Sequence, residues 1–70
     1  MSQCEKILRF LEDEGSITPL DAMREFGCMR LGARIWDLKR RGHEITKTLE
    51  SRPNRYGQTV RYARYTMTKE

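Results

Sequence analysis

The clearest local signal in this 70-residue chain is the stretch Ser16-Ile17-Thr18-Pro19-Leu20-Asp21. Thr18 is a residue type that caps helix N-termini, Pro19 fits the first helical position, and Asp21 stands three residues after the cap. This spacing predicts a capping box, with Asp in place of the usual Glu, at the start of a helix over about residues 19–26. Ile17, just before the cap, is predicted to lie in a short extended segment.

A helix upstream of this stretch, over about residues 4–14, carries its apolar residues on one face and ends at Gly15. Those apolar residues are Ile7, Leu8 and Leu11. The helix over 19–26 is expected to bury three residues and to end before a turn that begins at Gly27. The three residues are Ala22, Met23 and Phe26.

A third helix, over about residues 30–41, follows the turn and stops at Gly42. At about 100° per residue, Leu31, Ile35 and Leu38 form its buried stripe. One flank of this helix is long and mostly basic. It consists of Arg30, Arg34, Asp37 and Arg41, with Ala33 and Arg40 beyond them.

After the third helix the pattern changes from helical to alternating. Strands are predicted over about residues 45–50 and 60–67, because these runs are rich in β-branched or aromatic residues and turn-forming residues separate them. Side chains alternate between the two faces of a strand, so only one row of the second strand can face inward. The more apolar row is Ala63, Tyr65 and Met67, and Tyr62 and Arg64 are therefore expected to face outward.

Charge is divided unevenly along the chain. Residues 1–29 carry six acidic and three basic side chains, a net charge of −3, whereas residues 30–70 carry eleven basic and four acidic ones, a net charge of +7. A small domain divided in this way has one face suited to a polyanion and another that repels it.

The predicted order of elements is that of the winged helix-turn-helix fold, an α+β architecture of three helices followed by an antiparallel hairpin. We expect it to form a single domain over residues 1–70. The sequence is also similar to small helix-turn-helix domains of bacteriophages and prophages. Counted from Gly27, Ile35 and Leu38 fall two residues later than in the tight turn of phage repressors, which favours the winged subtype. The residues that carry the resemblance are Ile17-Thr18-Pro19-Leu20-Asp21-Ala22, Phe26-Gly27-Cys28, Arg30-Leu31, Ala33-Arg34-Ile35, Asp37-Leu38, Gly42 and Ala63-Arg64-Tyr65.

The resemblance implies binding of double-stranded DNA, with a regulatory or accessory role in a phage or prophage. The third helix is then expected in the major groove, and the hairpin wing on the phosphate backbone or in the minor groove. Arg30 and Arg34 lie one turn apart where base contacts are usually made, Asp37 can orient Arg34 or Arg41, and Arg40 and Arg41 are candidates for phosphate contact. A surface ion pair for Arg34 and a solvated, flexible wing loop are the plainer alternatives. The wing residues expected to reach DNA are Arg52, Arg55, Tyr56, Gln58 and Arg61.

Trp36 lies about 140° from Leu31 and therefore off the buried stripe. Packing beneath the hairpin or the first helix is the commoner fate of a lone tryptophan, and exposure to a partner protein or a second copy of the chain is the alternative. The acidic face of the first helix is another surface suited to a protein. The second functional hypothesis is therefore a protein-binding winged helix, such as a phage-encoded inhibitor of a host nucleic-acid machine.

Neither catalysis nor a cofactor is expected. No recognisable motif places a nucleophile beside His43, the only histidine, and there is no glycine-rich phosphate loop. A metal site would have to combine His43 with Cys4 and Cys28, whose spacing matches no zinc pattern, so ordinary core or surface thiols are the better interpretation. No apolar run approaches the roughly 20 residues that cross a bilayer, and no signal peptide is recognised, so a cytoplasmic location in a bacterial host is expected.

Overall fold

The computed structural model describes residues 2–68, so Met1, Lys69 and Glu70 of the predicted domain lie outside the described residues. As predicted, three helices are combined with an antiparallel hairpin. The helices are α1 (Gln3–Glu14), α2 (Pro19–Phe26) and α3 (Leu31–Arg40). The strands are β1 (Ser16–Ile17), β2 (Ile45–Pro53) and β3 (Thr59–Met67). We call β2, β3 and the loop between them the wing.

The capping box at the start of α2 is confirmed. The Thr18 hydroxyl accepts a hydrogen bond from the backbone N–H of Asp21 at 3.2 Å, and the Asp21 carboxylate accepts one from the N–H of Thr18 at 3.1 Å. Two N–H groups that the helix leaves without intrahelical partners are thereby satisfied. Gly27 ends the helix with a φ of 63°, a conformation that favours glycine.

The core is built from buried residues of each helix, from residues at the ends of two strands and from Cys28 in the turn before α3. The predicted stripe of α3, Leu31, Ile35 and Leu38, is confirmed as buried. On α1 the buried line runs through Cys4, Ile7 and Leu11, whereas Leu8 is only half-buried at its edge, because a spacing of three and four residues stays on one helical face. The remaining buried core residues are Ile17, Ala22, Cys28 and Ile45.

Met23 corrects the sequence-based prediction for α2. The sequence predicts it in the core, but its side chain is 42% exposed. The helix has only eight residues and packs along the line of Ala22 and Phe26, and Met23 lies about 100° around the helix from Ala22. The half-buried ring of Phe26 meets Phe10 of α1 edge-on, with 5.8 Å between the ring centroids.

The sheet has three strands rather than two, because the extended segment before the cap joins it. The strand order is β1-β3-β2, and Ile17 pairs with Tyr65. The wing strands are also longer than predicted, since pairing continues to Pro53 opposite Thr59. Proline is tolerated there because β2 is an edge strand. Tyr65 and Met67 pack against the core as the alternation predicts, whereas Ala63 is half-buried outside it.

Candidate nucleic-acid interface

The face of α3 opposite its buried stripe is open to solvent. At about 100° per residue, Arg40 lies about 180° and Trp36 about 140° from Leu31, and both side chains are exposed. Arg30 and Arg41, which the sequence predicts inside the helix, are instead its N-cap and C-cap residues. Both are exposed, so α3 presents cations at its two ends as well as on its outward face.

Arg34 and Asp37 form the ion pair that their spacing predicts, with 3.7 Å between Nη1 and Oδ2. Their side chains are only 37% and 33% exposed. Asp37 also accepts a hydrogen bond from the thiol of Cys4 on α1, with 3.9 Å between Sγ and Oδ2. The pair therefore lies at the junction of α1 and α3 instead of projecting freely from the helix.

Trp36 is 59% exposed and is not one of the hydrophobic residues that pack against the core. The guanidinium carbon of Arg40 lies over the indole, 4.7 Å from the ring centroid, in a cation–π contact. Sequence reasoning missed this pair. The signal that could have found it is the four-residue spacing, which places two side chains side by side on a helix.

The sheet register decides which wing residues face α3. A Cβ added to Gly32 of α3 would lie 3.6 Å from the hydroxyl of Tyr65, so Tyr65 marks the α3-facing side of β3. Because side chains alternate along a strand, Arg61 points to the same side, as does Lys47, which pairs with Tyr65. Lys47 is exposed, and sequence reasoning missed it, although it lies two residues after Ile45 and therefore on the same side of β2.

Arg52 lies on the other side of the wing. It pairs with Val60, one residue out of phase with Arg61, and lines a groove between α2 and the wing together with Leu20 and Arg24. The structure therefore separates Arg52 from the α3-facing cations with which the sequence groups it.

The tip of the wing is an ordered turn arranged around Asn54. Its side-chain oxygen accepts hydrogen bonds from the backbone N–H groups of Tyr56 at 2.9 Å and Gln58 at 3.0 Å. Gly57 completes the turn with a φ of 78°. Arg55 and Tyr56 are both exposed at this tip, Tyr56 to 79%. The two side chains are therefore presented by a backbone held in place by its own hydrogen bonds.

A polar cluster holds the base of the wing. Tyr62 and Arg64 share the outward parity that the sequence predicts, yet both are half-buried, because they donate hydrogen bonds to Glu50 Oε1 at 2.8 Å and 2.9 Å. Arg64 also donates to the hydroxyl of Ser16 at 2.9 Å. The hydrogen bond from Arg64, aided by the one from Tyr62, lowers the pKa of Glu50 below its usual value, and the carboxylate in turn raises the pKa of Arg64. This cluster joins all three strands and fixes the wing to the body.

Replacing Glu50 with Gln is expected to make the stability of the protein depend less on pH in the acidic range. A carboxyl group with a lowered folded-state pKa stabilises the protein above its ordinary pKa of 4.5, and this contribution disappears as the pH falls through the folded-state value. The midpoint temperature of thermal unfolding, monitored by circular dichroism, should therefore fall more steeply with decreasing pH in the wild type than in Glu50→Gln below about pH 5. Glu44→Gln, which removes an exposed carboxylate just before β2, is the control. Parallel acid profiles for the wild type and Glu50→Gln would contradict this role.

The residues that a metal site would need are not brought together. Within residues 2–68, no group of three or more His, Cys, Asp or Glu side chains is placed to hold a metal ion. Cys4 and Cys28 are buried free thiols of the core and form no such site with His43. No helix in the described part of the chain is long and apolar enough to cross a membrane.

A family model described as a winged helix-turn-helix domain matches residues 2–70. The match therefore includes α1, α2, α3 and the whole wing. No curated protein and no solved structure matches the chain.

Proposed function

Because this chain belongs to the winged helix-turn-helix family, we propose that it binds double-stranded DNA, with α3 in the major groove and the wing against the neighbouring backbone or minor groove. Domains of this family are typically DNA-binding modules rather than enzymes. The observation that carries the proposal is that the α3-facing side of the wing bears Lys47 and Arg61, so the exposed face of α3 and the cations of the wing border one surface.

The charges on this surface are available to phosphates. Among residues 2–68, Arg40, Arg55 and Arg61 take part in no ion pair. Six of the acidic residues belong to residues 1–29, on or beside α1 and α2, where they can orient the protein by repulsion from the DNA backbone. Contacts between cations and phosphates supply most of the affinity of such modules and fix their position on the duplex.

Six of the other predicted site residues fall into two groups. Arg30, Arg41 and Gln58 are exposed at the ends of α3 and beside the wing tip, where they can contact the groove walls. Arg34 and Asp37 would have to break their ion pair to reach a base, and Arg52 would reach DNA only from the far side of the wing.

The biological setting is proposed from the resemblance to small phage and prophage domains. It favours a regulatory or accessory DNA-binding protein, acting as a single domain in the cytoplasm of a bacterial host. The matched winged helix-turn-helix family supports the DNA binding on which this setting depends.

Titration of a short labelled duplex with the purified protein at low salt, followed by fluorescence anisotropy, tests the proposal. Arg55→Ala should weaken binding to all duplex sequences alike and reduce the salt slope by about one, because Arg55 sits at the wing tip and is expected to contact phosphate. Neither the fold nor the thermal stability should change, since the side chain is exposed.

Arg9→Ala is the matched control, since it removes the same charge from an exposed position on α1, which is not part of the proposed surface. It should leave duplex affinity close to that of the wild type. A folded wild-type protein without duplex affinity at low salt would overturn the proposal and favour a protein partner. If Arg9→Ala and Arg55→Ala weakened duplex binding equally, the affinity would depend on the net charge of the protein and not on the proposed surface.

A further inference from the structure

The outward face of α3 carries an aromatic side chain that the core does not use. Trp36 is the only tryptophan of the chain, and it lies with Arg40 on the side of the helix away from the buried stripe. Gly32, one turn earlier, faces Tyr65 of β3, so Trp36 lies at the edge of the outward face nearest the wing. It therefore occupies the surface between the two elements that are proposed to hold DNA.

The contact between Arg40 and Trp36 prepares both side chains for binding. Stacking at 4.7 Å restricts a long, flexible arginine before any ligand arrives, which reduces the entropy lost when its guanidinium is placed. With Arg40 in this contact, Trp36 is still 59% exposed, so much of the indole remains accessible to a ligand.

Arg34, one of the two arginines that helix position favours for base contact, is held differently. It is paired with Asp37, which is also bound by the thiol of Cys4 on α1. Moving Arg34 to a base edge would leave a half-buried carboxylate without its cation, a penalty that Arg40 does not incur.

We infer, on the basis of the DNA binding proposed above, that the Trp36–Arg40 stack is the base-reading unit of α3. Arg40 donates two hydrogen bonds to O6 and N7 of a guanine, the commonest specific contact of arginine in the major groove. Trp36 packs its ring against the 5-methyl group of a thymine, the apolar group that this groove displays.

The spacing of the two groups sets where the two bases lie. Consecutive bases along one strand are about 3.4 Å apart, and the guanidinium and the indole centroid are 4.7 Å apart. Two side chains at this separation reach neighbouring base pairs. The recognised element is therefore a guanine beside a thymine, read by one stacked pair of side chains.

The test starts from a duplex that the wild-type protein selects from a randomised library. Replacing each thymine in turn with deoxyuridine removes only the 5-methyl group. We expect replacement next to the recognised guanine to weaken binding about fourfold, the effect of burying one methyl group. The emission of Trp36 should also change when the selected duplex binds, and it reports on this site alone because the chain has no other tryptophan.

Variants of the two stacked residues separate their contributions. Trp36→Ala should bind the thymine and deoxyuridine duplexes equally, while Trp36→Phe, which keeps an apolar ring, should retain part of the difference. Arg40→Lys keeps the positive charge but cannot form the bidentate hydrogen bond to guanine. The preference for guanine over other bases, expected to be roughly five- to 150-fold in the wild type, should therefore be lost, while the non-specific affinity for DNA at low salt is kept.

Arg34→Ala is the comparison that decides between the two arginines. It should keep both the guanine and the thymine preference, because neither depends on Arg34. Circular dichroism of every variant verifies folding. We expect the Trp36 and Arg40 variants to be folded, because both side chains are exposed.

The outcomes distinguish this inference from the proposed function. Duplex binding by anisotropy with unchanged Trp36 emission, or with no deoxyuridine effect at any thymine, overturns the base-reading role and leaves DNA binding standing. Loss of the guanine preference in Arg34→Ala but not in Arg40→Lys also overturns it. No duplex binding by the folded wild type overturns both.

Discussion

Truncation of Leu38 to Ala is expected to lower the free energy of unfolding by about 2–5 kcal/mol. The Leu38 side chain is fully buried on α3, at 0% exposure, and its removal leaves a cavity that close-packed neighbours fill only in part. A domain of this length has a total stability of roughly 4–10 kcal/mol, so the substitution is expected to remove a large share of it. Thermal unfolding by circular dichroism should show a midpoint at least about 8 °C lower.

Leu20→Ala is the matched control, because it removes the same atoms from a position on α2 that is 58% exposed. It should change the stability by no more than about 0.5 kcal/mol. Ile35→Ala, in the same buried stripe, should behave like Leu38→Ala. Unchanged unfolding in both stripe variants would show that the buried face of α3 is assigned wrongly.

The affinity for duplex DNA is expected to fall roughly 250- to 1,000-fold when the salt concentration rises from 50 to 200 mM. About five cations in contact with phosphates give a slope of log affinity against log salt of about −4 to −5. The exposed side chains that we expect to supply these contacts are Arg30, Arg41, Lys47, Arg55 and Arg61. Anisotropy titrations at several salt concentrations measure the slope directly.

Arg9→Ala should keep the wild-type slope in these titrations, whereas Arg55→Ala should lose about one unit of it. A slope near zero would mean that any duplex binding releases few counterions and that the basic surface is not applied to the backbone. Such a result would point to an acidic protein as the partner.

Several features of the fold could be predicted from the sequence because they depend on short stretches of chain. Thr18 and Asp21 form the capping box, since both partners of each hydrogen bond lie within four residues. The buried stripe of α3 follows from helical geometry and the spacing of three apolar residues. Two-residue alternation likewise identifies Tyr65 and Met67 as the inward row of β3.

Burial was harder to predict where an apolar residue lies near the edge of a stripe. Met23 and Leu8 have the residue type of core positions, yet Met23 is exposed and Leu8 is half-buried. Their exposure depends on how neighbouring elements cover the helix, and that information is not local in sequence. The length of the wing has a similar origin, because Pro53 and its neighbours extend as a strand only when β3 is present to pair with them.

The order of helices and strands, the start of α2 and the buried face of α3 follow from local sequence, since each depends on residues within one or two turns of each other. The assembly of the candidate interface depends instead on contacts in the folded protein. Arg64 donates a hydrogen bond to Ser16, which is 48 residues away in the sequence. Lys47 and Arg61 lie on the α3-facing side of the wing and Arg52 on the other side, while Arg34 lies in an ion pair at the junction with α1. These outcomes depend on strand register and on contacts between distant segments, because a side chain's accessibility is set by everything packed around it.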